Sequence, residues 1–328
     1  MVKVALVSGG YSKEDVVSFN SAKEIGKSID KTRFSVFHVL INKDKWVYID
    51  DQKQEHAIDK NDFSVVVDGQ RLCFDLVFIT IHGTPGEDGK LQGYFDMIKM
   101  PYTTSNAFTS ALTFNKVATK RYLQNLGVET APYVFLRKND FYTVSDIVAK
   151  LGLPLFVKPN AGGSSFGITK VKKEIDLDEA IKKAFIEDDG VLIESFIAGT
   201  EVTCGLIKTL KEEFIFPATE IVSKNEFFDY EAKYTIGMAD EITPARITDA
   251  EMNTVKSLSS QIYAHLNCQG IVRIDYLLKD NRYFLIEVNT VPGMSAASIV
   301  PQQAEAFGFT TTKLFTIAMN DALDRSQA

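Results

Sequence analysis

The stretch Gly270-Ile-Val-Arg-Ile-Asp-Tyr-Leu-Leu278 is followed, across a short polar link at Asp280-Asn281, by Tyr283-Phe-Leu-Ile-Glu-Val-Asn289. Side chains alternate faces along a strand, so Arg273 shares a face with Asp275, and Glu287 with Asn289. Ile274, Ile286 and Val288 then point the other way, into a core. The short link predicts an antiparallel hairpin. An even loop sets Asp275 opposite Ile286. An odd loop sets Asp275 opposite Glu287 and Arg273 opposite Asn289. Only the odd register gathers the polar groups, so a three-residue loop or a bulge is expected. Adjacent carboxylates repel unless a cation lies between them, and an all-oxygen set of Asp275, Glu287 and Asn289 suits a hard ion such as Mg²⁺ or Mn²⁺. The plainer alternative is a solvated face with a chance ion pair to Arg273, but such a face rarely collects this cross-strand set.

Working upstream, Val157-Lys-Pro-Asn-Ala-Gly-Gly-Ser-Ser-Phe-Gly167 puts Lys158 at a strand end before a run of small residues. Such a loop lets backbone N–H groups approach phosphate oxygens. It is not a Walker A loop, because the lysine precedes the glycines. Alone it reads equally well as a hairpin tip; with Lys116 on an earlier helix it becomes a candidate phosphate clamp. Val191-Leu-Ile-Glu-Ser-Phe-Ile197 is an apolar strand that turns polar at its end. Glu194 and the backbone after it can bond the edge of a flat base, and Glu201 the hydroxyls of a ribose. Phe227-Phe-Asp-Tyr-Glu-Ala-Lys-Tyr234 lies in a long irregular segment, 223–243, of the kind that forms lids, with Lys233 placed to cover a phosphate.

The first hundred residues alternate strands and helices: strands at Val2–Val7, Phe34–Ile41 and Leu76–Ile81, a hairpin strand at Trp46–Ile49, and a helix from Ser18 to Ile29. This predicts an open α/β unit over 1–105, with ligands beyond the carboxyl ends of its strands. Gly9-Gly10 and His82-Gly83 sit at two such ends. A histidine that closes an apolar strand and opens a glycine loop reads as functional. A second unit, 106–198, carries a helix at Phe114–Leu126, a strand at Leu155–Lys158, a helix near Asp178–Phe185 and the strand Val191–Phe196. The third, 199–328, contains the hairpin and a helix opened by the capping box Thr248-Asp-Ala-Glu251.

The 328 residues are 45% hydrophobic and 24% charged, with a net charge of −7. That balance argues for an ordinary globular protein and against a nucleic-acid partner. Cys73, Cys204 and Cys268 form no paired spacing, so neither a zinc nor a disulfide framework is expected. No apolar run reaches the roughly 20 residues that span a bilayer. The opening MVKVALVSGG reads as a strand rather than a signal peptide, so a cytoplasmic location without membrane attachment is expected.

These segments in this order resemble the ATP-grasp superfamily, and their wording is similar to that of the D-alanine–D-alanine ligases. The strings are His82-Gly83 with Gly86-Glu-Asp-Gly89, Leu91-Gln-Gly93, Pro101-Tyr-Thr103, Lys158-Pro159, Gly163-Ser-Ser165, Tyr230-Glu-Ala-Lys-Tyr234, Arg273-Ile-Asp275 and Glu287-Val-Asn-Thr-Val-Pro-Gly-Met294. The resemblance covers nearly the whole chain. It implies an α/β ATP-grasp fold with an N-terminal open Rossmann-like unit, and nucleotide bound between the central and C-terminal units. It implies ATP-dependent joining of two D-alanines through an acyl phosphate, for peptidoglycan precursors. By resemblance Lys116, Lys158 and Lys233 hold phosphates, and Glu194, Ser195, Ile197 and Glu201 hold the nucleoside. Asp275, Glu287 and Asn289 hold two Mg²⁺ or Mn²⁺ ions. Arg273 and the Gly293 N–H face an oxyanion. Ser298 binds the second carboxylate, His82 lies near the first substrate, and Ser164 and Tyr234 orient groups between the two. Family members are usually homodimers.

One departure stands out. Where much of the family reads S-x-E-x-E-V-S, this chain reads Ser12-Lys-Glu-Asp-Val-Val-Ser18, and ungapped alignment sets Val16 where an acid receives the first ammonium group. Asp15 can substitute if the turn shifts, Glu14 can reach in, or Glu87 or water can compensate. Tyr234 favours an amine over a hydroxy acid as second substrate. The alternatives are another ATP-grasp ligase, a D-alanyl-D-lactate ligase included, or a non-catalytic nucleotide-binding protein. The last would be expected to lose Arg273 or the metal ligands.

Overall fold

The computed structural model describes residues 1–12, 14–163, 166–223 and 239–327. Strands β1 (Val2–Gly9), β2 (Phe34–Ile41), β3 (Trp46–Ile49), β4 (Glu55–Asp59), β5 (Ser64–Val67), β6 (Gln70–Leu72) and β7 (Leu76–Ile79) form one sheet in the order β6-β5-β4-β3-β2-β1-β7. Strand β1 runs parallel to both β2 and β7, so it is covered on both faces. Alternation divides its side chains between two cores. Val4 and Leu6, with Leu76 and Phe78, face helix α1 (Asp15–Ser28) and the C-terminal helix. Ala5 and Val7, with Val77 and Ile79, face Phe63, Phe95 and Leu91, the last two on α2 (Lys90–Met97). The strand expected to reach Ile81 ends at Ile79, and α1 starts three residues before the expected Ser18.

The helix expected over Phe114–Leu126 is α4 (Lys116–Gln124), and a further helix, α3 (Ala107–Phe114), precedes it. The break is Asn115, extended at φ −91° and ψ 98°, whose side chain accepts from the Ala118 N–H and so caps α4. Strands β8 (Tyr133–Arg137), β9 (Leu155–Pro159), β10 (Thr169–Val171) and β11 (Gly190–Ser195) form an antiparallel sheet in the order β10-β9-β11-β8. Its apolar face packs on α5 (Val144–Leu151) and α6 (Leu177–Glu187).

The third sheet holds β12 (Thr200–Lys208), β13 (Glu213–Ile215), β14 (Thr219–Ser223), β15 (Ala239–Ile242), β16 (Gly270–Lys279) and β17 (Arg282–Asn289), with β12 and β16 at its centre. Val202, Cys204, Ile274 and Tyr276 point to one face. There they pack with Val255, Ile262 and Leu266, which belong to or follow α7 (Asp249–His265). The capping box at Thr248 and Glu251 is formed in both directions. The opposite face carries Arg273, Asp275 and the start of α8 (Ile299–Ala306), whose Gln303 accepts from the Gly205 N–H at 2.9 Å.

Helix α9 (Thr311–Gln327) joins the first and third sheets, since Leu314, Phe315 and Met319 share a core with Leu76, Phe78, Ile207 and Ile271. Arg325 on α9 bonds Asp321 (2.9 Å), Gln269 (2.8 Å) and the Tyr102 carbonyl (3.1 Å). Cys204 and Cys268 are buried, and Cys73, just before β7, is exposed. Among the described residues no helix is long and apolar enough to cross a membrane.

Candidate active site

The β16–β17 register is the odd one. Asp275 pairs with Glu287, Arg273 with Asn289, and a bulge falls between Asp275 and Tyr276. The turn itself has two residues, Asp280 and Asn281, both left-handed at φ 50° and 59°. Ile286 is the extra residue of the bulge. It is therefore not in the core beside Ile274 and Val288, as the alternation suggested, but lines the cavity beside Glu287.

Asp275 is 5% exposed. Arg273 grips it with two bonds (Nε–Oδ1 2.9 Å, Nη2–Oδ2 2.8 Å), the Asn289 amide donates to Oδ2 at 3.0 Å, and Thr203 donates to Oδ1 at 2.5 Å. The Asn289 amide gives its N–H to Asp275 and so presents its oxygen as an acceptor. Glu287 is half-buried, with Lys116 Nζ 3.8 Å away. Among the described residues no group of three His, Cys, Asp or Glu side chains can hold a metal. The set here is two carboxylates and one amide. Pinned oxygens of this kind on one face fit a small hard divalent ion that keeps part of its shell for other ligands.

A cavity of 560 Å³ lies between the second and third sheets, and Arg273, Asp275 and Glu287 form part of its wall. Lys116 and Lys158 also line it, with Gly162 and Gly163 of the glycine loop. Lys116 donates to the Gly162 carbonyl at 2.6 Å, which fixes the loop relative to α4. Phe156, Ile197, Leu277 and Phe284 supply apolar walls, and Glu201 and Glu194 supply carboxylates. Ser195 lines the cavity but gives its hydroxyl to the Leu151 carbonyl at 2.8 Å, so that hydroxyl is committed elsewhere.

Glu194 is buried and touches Lys158, with Lys120 Nζ 2.6 Å from its other oxygen. Burial alone pushes this carboxyl up, but the charges and hydrogen bonds of Lys120 and Lys158 outweigh it and hold the group at about 2. Burial pulls the Lys120 ammonium below the ordinary lysine range; Glu194 opposes this and Lys158 adds to it, because one carboxylate cannot fully compensate two cations. Lys120 was not among the expected site residues. Its signal was present: it lies four residues after Lys116 on the same helix face.

The first sheet brings a second cluster to this face. His82 is buried and bonded to the Val291 backbone, while its Nε2 has no hydrogen-bond partner. Burial, with Arg273 nearby, pulls its imidazole down to about 4, so it is neutral at pH 7. Glu87 accepts from the Gly83 N–H at 2.9 Å. Burial first, then the charges of Glu14 and Glu287, push its carboxyl up to about 8.

Glu14 is 7% exposed, immediately before α1. A methyl group on Gly163 would lie 2.7 Å from its Oε1, and one on Gly83 2.8 Å from its Oε2. The carboxylate thus sits between the two glycine loops. Asp15 instead accepts from the Val16 N–H at 2.8 Å, and Val16 is 62% exposed. Of the two acids in that segment, Glu14 is the one enclosed between the glycine loops. The pocket position given to Val16 and the substitute role offered to Asp15 are both corrected, because α1 starts at Asp15 and turns those side chains outward.

The Thr290–Ser298 loop closes the far side. Met294 N–H bonds Ser21 on α1 at 3.0 Å. Ser298 Oγ accepts from the Ser295 N–H at 3.0 Å, and a side chain on Gly293 would meet it at 2.9 Å. Ser164, Lys233 and Tyr234 lie outside the described residues.

Two family models match the chain: "D-ala D-ala ligase N-terminus" over residues 3–105 and "D-ala D-ala ligase C-terminus" over residues 122–319. A D-alanine–D-alanine ligase of Azobacteroides pseudotrichonymphae is 48% identical over 96% of this chain and 98% of its own length. One of Porphyromonas gingivalis is 46% identical over 99% and 98%. Among solved structures, the VanG D-Ala:D-Ser ligase of Enterococcus faecalis matches with a TM-score of 0.88 at 29% identity, covering 98% of this chain and 99% of that one. A D-alanine–D-alanine ligase of Bacillus anthracis complexed with ATP matches with a TM-score of 0.79 at 27% identity, covering 100% and 99%.

Proposed function

The chain belongs to the D-alanine–D-alanine ligase family, and we propose that it joins two D-alanines to D-alanyl-D-alanine with ATP, for peptidoglycan precursor synthesis. The fold is that of the ATP-grasp ligases. The three sheets support a division into units 1–105, 106–198 and 199–328, with nucleotide between the second and third. The observation that carries the reading is Glu14 lodged against Gly163: an acid suited to an amino group meets the glycine loop suited to phosphate.

In this reading the first D-alanine sets its ammonium against Glu14, with Glu87 and His82 beside it. Its carboxylate then faces the γ-phosphate that Lys116, Lys158 and Lys233 hold. Asp275, Glu287 and Asn289 hold two Mg²⁺ or Mn²⁺ ions, which neutralise phosphate charge when bound. Glu194, the backbone of Ser195 and Ile197, and Glu201 receive the nucleoside. Ser298 takes the carboxylate of the second D-alanine and directs its amine to the acyl carbon. Arg273, fixed by its two bonds to Asp275, and the Gly293 N–H stabilise the oxyanion that forms there. Ser164 and Tyr234 orient groups between the two substrates. The protein is taken to act in the cytoplasm as a homodimer.

The test is ATP-dependent phosphate release with D-alanine, D-serine, D-lactate, L-alanine or no acceptor, with products identified by mass. Turnover with D-alanine alone, giving the dipeptide mass, is expected. No turnover with D-alanine, but release with D-alanine plus D-lactate or D-serine, would reassign the second substrate.

A further inference from the structure

Glu194 stands between two lysines with different access to the cavity. Lys158 lines it; Lys120 does not, and is 1% exposed. Lys120 Nζ is 2.6 Å from Glu194 Oε1 and donates to the Leu285 carbonyl on β17 at 3.3 Å. Lys158 reaches Oε2 from β9. Two ammonium groups thus serve one carboxylate, and one of them is in surplus.

We propose that Lys120 is a positioning residue, the standing counter-ion of Glu194, which allows Lys158 to leave that carboxylate for a nucleotide phosphate. The proposal rests on the reading of Lys158 as a phosphate ligand. In the structure Lys158 is engaged with Glu194, and turning that ammonium toward a phosphate withdraws its charge from the carboxylate. Without Lys120, that withdrawal would leave a buried carboxylate with no cation, a costly state. Lys120 cannot follow the phosphate itself, because it is enclosed behind the cavity wall and tied to Leu285. The cluster therefore contains one fixed cation and one movable one. Glu194 keeps its charge in both states and remains an acceptor facing the cavity.

The test is calorimetric binding of Mg²⁺-ADP and of adenosine to the full chain. Lys120→Met is expected to weaken ADP roughly tenfold or more, the range for losing a charged contact, because Lys158 stays held by Glu194. Adenosine, which has no phosphate, binds wild type and variant alike. Equal weakening of both ligands, or none for ADP, overturns the proposal. In a Glu194→Gln background no carboxylate can be left unpaired, so adding Lys120→Met costs no further ADP affinity. A further loss of roughly tenfold or more on adding Lys120→Met to Glu194→Gln overturns the proposal, and this comparison of the double variant with Glu194→Gln stands even if Lys120→Met alone does not fold. Lys120→Arg keeps the cation and is expected to keep ADP affinity. Lys158→Met tests the underlying reading separately: unchanged ADP affinity there removes Lys158 as a phosphate ligand, whatever Lys120 does.

Discussion

At the scale of single residues, the turn before α1 decides which acid lies between the two glycine loops, where the first substrate's ammonium group is proposed to bind. Glu14 is enclosed between Gly83 and Gly163, while Val16 is 62% exposed. Glu14→Gln is expected to lower kcat/KM for D-alanine roughly hundredfold, as a buried ammonium loses its charged partner. Val16→Glu, which restores the family spacing, is expected to leave the kinetics unchanged. Steady-state assays across D-alanine concentration check both, and a large gain from Val16→Glu would contradict the assignment. The sequence displayed two acids in this segment, Glu14 and Asp15, and a valine at the family's acid position, but not their phase. A helix turns about 100° per residue, so a start at Asp15 rather than Ser18 redirects every side chain before it. Lys120, by contrast, was legible as the partner of Lys116 at helical spacing, and only its burial needed the structure.

At the scale of elements, the β16–β17 hairpin shows how two local devices fix one register. A two-residue turn alone would set Asp275 opposite Ile286; the bulge at Ile286 restores Asp275 opposite Glu287. The polar pattern made the register readable, because only one register gathers the charges. It left open which device achieves it, since a three-residue loop and a bulge shift the ladder alike. Asp280-Asn281 carried a hint, as both residue types tolerate left-handed backbone. Asn281→Ala is expected to cost about 1 kcal/mol, and Asn281→Gly nothing or less than that. Urea denaturation measures both, and kcat should not change, because the turn lies at the opposite end of the hairpin from Arg273 and Asn289. The boundary between α3 and α4 at Asn115 is equally local: one extended residue ends the first helix and caps the second.

At the scale of the molecule, α9 is the piece that the strand and helix patterns did not assign a place. Its apolar face is shared by the first and third sheets, and pairing between distant elements is invisible to local periodicity. Arg325 ties that joint to Asp321, Gln269 and Tyr102, and Asp321 is 2% exposed. Arg325→Ala is expected to cost about 3 kcal/mol at pH 7, because a buried carboxylate loses its cation. Burial already holds the Asp321 carboxyl above its ordinary value against the pull of Arg325, and losing Arg325 raises it further above the unfolded value, so the variant's penalty is greatest at high pH. The deficit should therefore narrow as pH falls toward the unfolded carboxyl range, and urea titrations at several pH values read it directly. The placement of the three cysteines has a practical side. Burial pushes the Cys204 thiol up to about 11 and the Cys268 thiol up to about 12, while Cys73 lies exposed before β7, at the end of that strand away from His82. A maleimide dye at neutral pH thus finds one accessible position on the native chain, and a fluorophore there labels the first sheet at the end away from His82.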